Sequence, residues 1–209
     1  LSILLEEIGR VMLPGPLFST VVMGGMTILD AGSEEQKKEL LPQIGEGQLI
    51  VTLALTEPSA RWDAQGVETR ATQSGDNWSI SGTKLFVPNA HVSDTYVVAA
   101  RTGDGEKDIS LFLVPKYLPD SAGEPGDRND LRCLSTEHKL GIHAAPTCVM
   151  AFGDGEGAIG WLVGEGNQGL GLLFAMMNNE RLAVGLQGVA FMGRAYQQAV
   201  GFARERIQG

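Results

Sequence analysis

Apolar residues recur at helical spacing over the first 45 or so positions, shift to a period of two from about position 49, and return to helical spacing from Gly169 to the end. Ile3, Leu4, Ile8 and Val11 share one face of a helix predicted over residues 1–12. Leu13-Pro14-Gly15-Pro16 breaks it, and a second, largely buried helix is predicted over 17–30, ending at Ala31-Gly32. Ser33 is placed to cap a third helix, with Glu34 and Glu35 in the first turn, where the helix dipole favours anions; Gly45-Glu46-Gly47 ends it.

Strands are predicted at 49–55, 67–72, 78–80, 84–88, 95–101, 109–115, 147–152 and 158–163. Ser74-Gly75-Asp76-Asn77 reads as the turn between two of them. Residues 119–130 are polar and rich in Pro and Gly, and read as a long loop. The last 40 residues read as long helices with a break at Asn178-Asn179, and Gly185, Gly188, Gly193 and Gly201 as places of close helix packing. The fold class expected is α+β: N-terminal helices (1–48), a central antiparallel β-barrel or sandwich (49–164), and long C-terminal helices (165–209).

Charge narrows the function. With 16 basic and 25 acidic residues the net charge is −9, which argues against broad nucleic-acid or anionic-membrane binding. Cys133 and Cys148 make neither a disulfide framework nor a zinc pattern, so a reducing cytoplasmic setting is expected. No stretch reads as a membrane insertion or a signal peptide. The chain starts at Leu1 inside a helical pattern and stops at Gly209, which reads as a central piece of a longer polypeptide.

Five blocks in order resemble the acyl-CoA dehydrogenase family across essentially the whole chain. They are "GSEEQKKELLPQIGEGQLIVTLALTEP", "GTKLFVPNA", "EHKLGIHAAPTCVMAFGD", "GEGNQGLGLLFAMMNNERLAVGLQG" and "FARERIQG". The segment "RNDLRCLSTEHKLGIHAAPTCVM" is similar to the larger bacterial branch that includes methylmercaptopropionyl-CoA dehydrogenases, whereas "ARWD" and "FVPNAH" look more like another branch. The resemblance implies FAD as cofactor, an acyl-CoA substrate, fatty-acid β-oxidation, an electron-transfer flavoprotein as electron acceptor, and a homodimer or homotetramer.

A flavin needs an apolar slot and hydrogen-bonding groups at its pyrimidine edge, where reduction places negative charge. Leu53 and Leu55 share a strand face, Thr56 adds a hydroxyl, and Pro58 ends the ladder because it has no N–H. The resemblance implies flavin contacts by Leu55, Thr56 and Phe86; a strand phenylalanine in the core fits Phe86 as well. Pro88 replaces a hydroxyl residue near the flavin's reactive nitrogen, and Ala145 a serine that bonds CoA. Arg61 and Trp62 stand where the family has Gly-Ser: either Arg61 meets a flavin or CoA phosphate and Trp62 covers the pocket, or both are structural. Met177, Asn178 and Arg181 match the CoA side. Arg206 matches an arginine that crosses a dimer interface to the neighbouring flavin pyrophosphate.

The family's reaction takes the α-proton of an acyl thioester with a carboxylate and passes the β-hydride to flavin. In most branches the base lies beyond the position of Gly209. Glu180 is the candidate within this chain, against the plainer reading of a helix-start acid. Glu57 reads as an acid that orients backbone N–H groups. A scaffold or binding protein with a degenerate flavin site is the alternative, favoured by Trp62, Pro88 and Ala145.

Overall fold

In the computed structural model of the chain, which describes residues 2–61 and 63–208, helices precede strands and a long helix follows them. The N-terminal elements are α1 (Ser2–Val11), a π-helical segment (Phe18–Gly25), α2 (Met26–Ala31) and α3 (Glu34–Gly45). Ser33 caps α3 reciprocally: its hydroxyl accepts from the Gln36 N–H at 3.2 Å while Gln36 accepts from the Ser33 N–H at 2.9 Å. The Gln36 amide also donates to the Leu162 carbonyl, tying this helix to the strands.

The strands are β1 (Val51–Ala54), β2 (Arg70–Ser74), β3 (Asn77–Pro88), β4 (Thr95–Arg101), β5 (Ile109–Pro115), β6 (Tyr117–Pro119), β7 (Pro125–Arg128), β8 (Leu131–Thr136), β9 (Thr147–Phe152) and β10 (Ala158–Leu162). Eight of them pair along the path β1-β4-β5-β10-β3-β9-β8, with β2 beside β3 and β4. The sheet is not a closed barrel, which corrects one of the two architectures expected; it is sandwich-like and curls around one core. The β1–β4 pair is parallel, a departure from the expected all-antiparallel pairing. The residues 119–130 also differ from expectation, since β6 and β7 form a small hairpin there.

β4 and β5 read as nearly continuous apolar runs because both of their faces are buried. Tyr96, Val98, Phe112 and Val114 point into the core between the sheet layers, with Ile80, Met150 and Phe152. Val97, Ala99, Leu111 and Leu113 point the other way, onto Met23, Ile28, Leu173 and Met176 of the helices. Gly24 permits that second contact: a Cβ there would lie 2.5 Å from the Val51 side chain.

α4 runs unbroken from Gly169 to Glu205. The expected break at Asn178-Asn179 is absent because the Asn178 side chain accepts from Arg181 one turn on, at 2.9 Å, and does not compete for the backbone. The four glycines read as packing sites face open space among the described residues. The close helix contact is instead between α1 and α4 at Gly9 and Ala190.

Candidate functional site

β1 ends at Ala54, and the next three residues turn away from the sheet. Leu55 and Thr56 are half-buried, Glu57 is buried, and Pro58, which has no N–H for a ladder, is exposed. Glu57 is the anchor of the turn. Its carboxylate accepts from the Glu68 N–H at 2.8 Å and the Thr69 N–H at 3.1 Å, and from the Lys84 ammonium at 2.6 Å. Lys84 also donates to the Leu55 carbonyl at 3.2 Å. Both side chains are sealed, at 0% and 3% exposure. Burial pushes the Lys84 ammonium down to about 8, and the charge and hydrogen bond of Glu57 counter part of that fall.

β3 supplies Lys84 through an irregularity. Pairing with β9 shifts register between Lys84 and Val87, and within that bulge Phe86 adopts a left-handed backbone, φ 56°. Such a conformation is rare for an aromatic residue and is found where a site dictates it. It turns Phe86 outward, 52% exposed, between the buried Lys84 and Val87. The core reading of Phe86 is therefore overturned. The Leu85 N–H donates to the Thr56 carbonyl at 2.7 Å, so the bulge and the β1 turn are adjacent.

A cleft opens beside this turn. Leu55, Thr56 and Val67 form one wall, Leu170, Leu173, Phe174 and Met177 of α4 the other, and Arg61 and Asp63 the rim. A neighbouring depression continues past Asp63 to Glu106, Lys107 and Asn167. The Thr56 N–H and hydroxyl have no partner among the described residues, so two donors stand at an otherwise apolar edge.

The structure thus brings Leu55, Thr56, Arg61 and Met177 together. Leu53 lies beneath the cleft, buried against the helices. Trp62 lies outside the described residues. Arg61 is already engaged: its guanidinium holds Asp63 at 2.6 Å and Gln65 at 2.8 Å. The Pro88 carbonyl accepts from the Thr52 hydroxyl at 2.7 Å, which fastens β3 to β1. Ala145 sits half-buried in the β8–β9 connection, its carbonyl bonded by Lys139. Asn178 and Arg181 bond each other on the exposed side of α4. Arg206 closes the far end of that helix, its guanidinium 5.6 Å over the Phe202 ring.

The comparisons agree with this architecture. The family model described as acyl-CoA dehydrogenase, middle domain, matches residues 52–154, and the one described as acyl-CoA dehydrogenase, N-terminal domain, matches residues 1–48. The chain belongs to the acyl-CoA dehydrogenase family. It is 42% identical over 201 residues to 3-methylmercaptopropionyl-CoA dehydrogenase of Ruegeria pomeroyi, covering 92% of this chain and 33% of that one. It is 39% identical over 191 residues to the broad-specificity linear acyl-CoA dehydrogenase FadE5 of Mycobacterium tuberculosis, covering 85% and 31%. Among solved structures, butyryl-CoA dehydrogenase of Megasphaera elsdenii superposes with a TM-score of 0.83 at 25% identity, over 99% of this chain and 53% of that one. The chain spans about a third of the length of the two sequence relatives.

Within this chain, Glu180 is half-buried on α4, three residues after the cleft residue Met177. Burial raises its carboxyl above the ordinary range, and Arg181 beside it offsets part of the rise. Lys84 is the residue that sequence reasoning missed. A lysine in a strand reads as solvent-facing, and its partner lies 27 positions away. The signal that could have found it is the acid of "LTEP" facing a single cation in "GTKLFVP".

Proposed function

We propose that this chain forms the flavin-facing part of an FAD-dependent acyl-CoA dehydrogenase that desaturates the Cα–Cβ bond of an acyl-CoA thioester. The observation that carries the reading is the Thr56 donor pair at the edge of the apolar cleft. FAD fits the residues present: Thr56 offers donors to the pyrimidine edge, and Phe86 offers an exposed aromatic face on the adjacent strand. When bound, the flavin supplies the hydride-accepting chemistry.

The residues of this chain do the rest. Thr56 fixes orientation, and Leu170, Leu173, Phe174 and Met177 keep water from the acyl chain. Glu180 is the candidate base within the chain, because partial burial makes its carboxylate more basic. Replacing Glu180 by Gln in the complete enzyme then slows flavin reduction by about a hundredfold or more; a rate within twofold of wild type assigns the α-proton to another carboxylate. Asn178 and Arg181 would meet the CoA portion. Arg206 lies roughly 40 Å along α4 from Met177, at 1.5 Å per residue. It cannot serve the cleft of its own chain, which supports a homodimer or larger homo-oligomer in which it reaches a neighbour's cofactor. An electron-transfer flavoprotein as acceptor, a cytoplasmic setting and a role in fatty-acid oxidation complete the reading.

The second reading, a scaffold with a degenerate flavin site, draws on the engagement of Arg61 by Asp63 and Gln65 and on the missing hydroxyls at Pro88 and Ala145. One experiment separates the two. The complete protein, purified, carries flavin absorbance that bleaches on addition of an acyl-CoA; a colourless protein that takes up no added FAD establishes the scaffold instead.

A further inference from the structure

Lys84 and Glu57 do not line the cleft, yet their bonds converge on the segment that makes its edge. Lys84 holds the Leu55 carbonyl at 3.2 Å. That carbonyl and the Thr56 N–H are the two ends of one peptide group. A cation on the oxygen draws electron density from the nitrogen, so the N–H becomes a stronger donor. The Thr56 carbonyl is also turned inward, onto the Leu85 N–H at 2.7 Å. With both carbonyls occupied on the protein side, the backbone of the edge presents its N–H donor and no carbonyl acceptor.

Glu57 keeps this arrangement in register. It fixes the ammonium at 2.6 Å and is itself held by the backbone of Glu68 and Thr69, at the other end of the turn. The whole unit is excluded from water. An interior cation is expensive to desolvate, and a purely structural tie of the turn would not require its charge.

We propose that Lys84 and Glu57 are positioning residues for the cofactor edge: they lock the Leu55–Thr56 peptide with its carbonyl inward and polarise its N–H, so that the edge favours a heterocycle gaining negative charge there. This rests on the flavin reading above. It assigns the buried pair a share in setting the cofactor's reduction potential, beyond holding the fold.

The test uses the complete FAD-loaded protein, with Lys84→Met, the double variant Glu57→Gln/Lys84→Met, and Arg132→Ala as a surface control. The readouts are FAD affinity, by titration of the apoprotein, and the flavin reduction potential. In a folded variant lacking Lys84, the preference for reduced over oxidised flavin falls about tenfold, which reads as a potential about 30 mV more negative for a two-electron couple. The control matches wild type. If Lys84→Met does not fold, the double variant decides. A folded variant whose potential and FAD affinity equal those of wild type overturns the proposal. If wild type binds no FAD, the flavin reading has failed, and the positioning role is judged on amide exchange at Leu85. Exchange at least tenfold faster without Lys84 sustains it, and an unchanged rate overturns it.

Discussion

Two ion pairs flank the same turn with the same separation, 2.6 Å, and opposite surroundings. Lys84–Glu57 lies beneath the turn at 0% and 3% exposure; Arg61–Asp63 sits on its rim at 50% and 56%. Distance alone would rank them as equals. Solvent separates them, because water screens the rim pair, while the inner pair has given up its hydration and depends on the partners present. The inner pair therefore belongs to the fold and to the edge of the site. The rim pair is free to exchange partners when a ligand arrives.

The largest expected effect breaks the inner pair on one side. Lys84→Met leaves the Glu57 carboxylate buried without its cation, and a loss of about 3–5 kcal/mol in unfolding free energy is expected, read as a lower urea midpoint. Removing both charges with Glu57→Gln/Lys84→Met recovers most of that loss, since the glutamine oxygen still accepts from the Glu68 and Thr69 amides. A double variant as unstable as the single one would show that the unpaired Glu57 charge is not the source of the loss.

The pH dependence sharpens the same point. Lys84 titrates near 8 in the folded state and near the ordinary lysine value when unfolded. Between about 8 and the ordinary lysine value near 10.4, the unfolded chain binds more protons at this site, so its contribution to stability rises with pH through that window. The neutral amine of Lys84 still donates to Glu57 there, which a methionine at this position cannot do. Comparing wild type with the double variant isolates the slope, which is expected in wild type alone; equal slopes would mean that burial does not depress Lys84.

These contrasts explain what could be read from the sequence. β4, β5 and β9 lie where their apolar runs predict, because strands buried on one or both faces and bounded by polar turns carry their limits in composition. The Ser33 cap was legible for the same local reason. The open order of the sheet and the parallel β1–β4 pairing were not, since both depend on partners far along the chain; the β6–β7 hairpin lay in a stretch whose Pro and Gly content reads as loop, and the unbroken course of α4 turned on the Asn178–Arg181 bond. In the candidate site, Thr56 and Pro58 marked the end of β1. The bulge that turns Phe86 outward gave no signal, because its residues read as one more alternating strand. Lys84 was hidden by the same regularity.

Phe86 extends the comparison to apolar side chains, with a smaller effect. Removing a buried aromatic ring such as Phe112 typically lowers stability by about 3–5 kcal/mol. Phe86 is half-exposed and pays for a left-handed backbone of its own. Phe86→Gly relieves that strain while loosening the unfolded chain, and the two effects, each about 1 kcal/mol, nearly cancel. An unchanged urea midpoint together with weaker FAD binding is the expected result. A large drop in midpoint would place Phe86 among the packing residues instead.

The smallest stability effect belongs to Arg61→Ala. Among the described residues its guanidinium bonds only Asp63 and Gln65 on an exposed turn, and the Asp63 side chain already accepts from the Gly66 N–H, so its loss leaves no described buried group without a partner. The unfolding midpoint is expected to match wild type at both low and high salt. Ligand binding tells the two roles of Arg61 apart. If the guanidinium leaves Asp63 for a phosphate, the alanine variant binds FAD or acyl-CoA more weakly, and the deficit shrinks as salt rises, because a guanidinium–phosphate pair at the rim is accessible to counterions. If Arg61 only closes the rim, affinity is unchanged or rises as the cleft opens, and the turn at the mouth of the site is then a structural replacement for the small residues that its family places there.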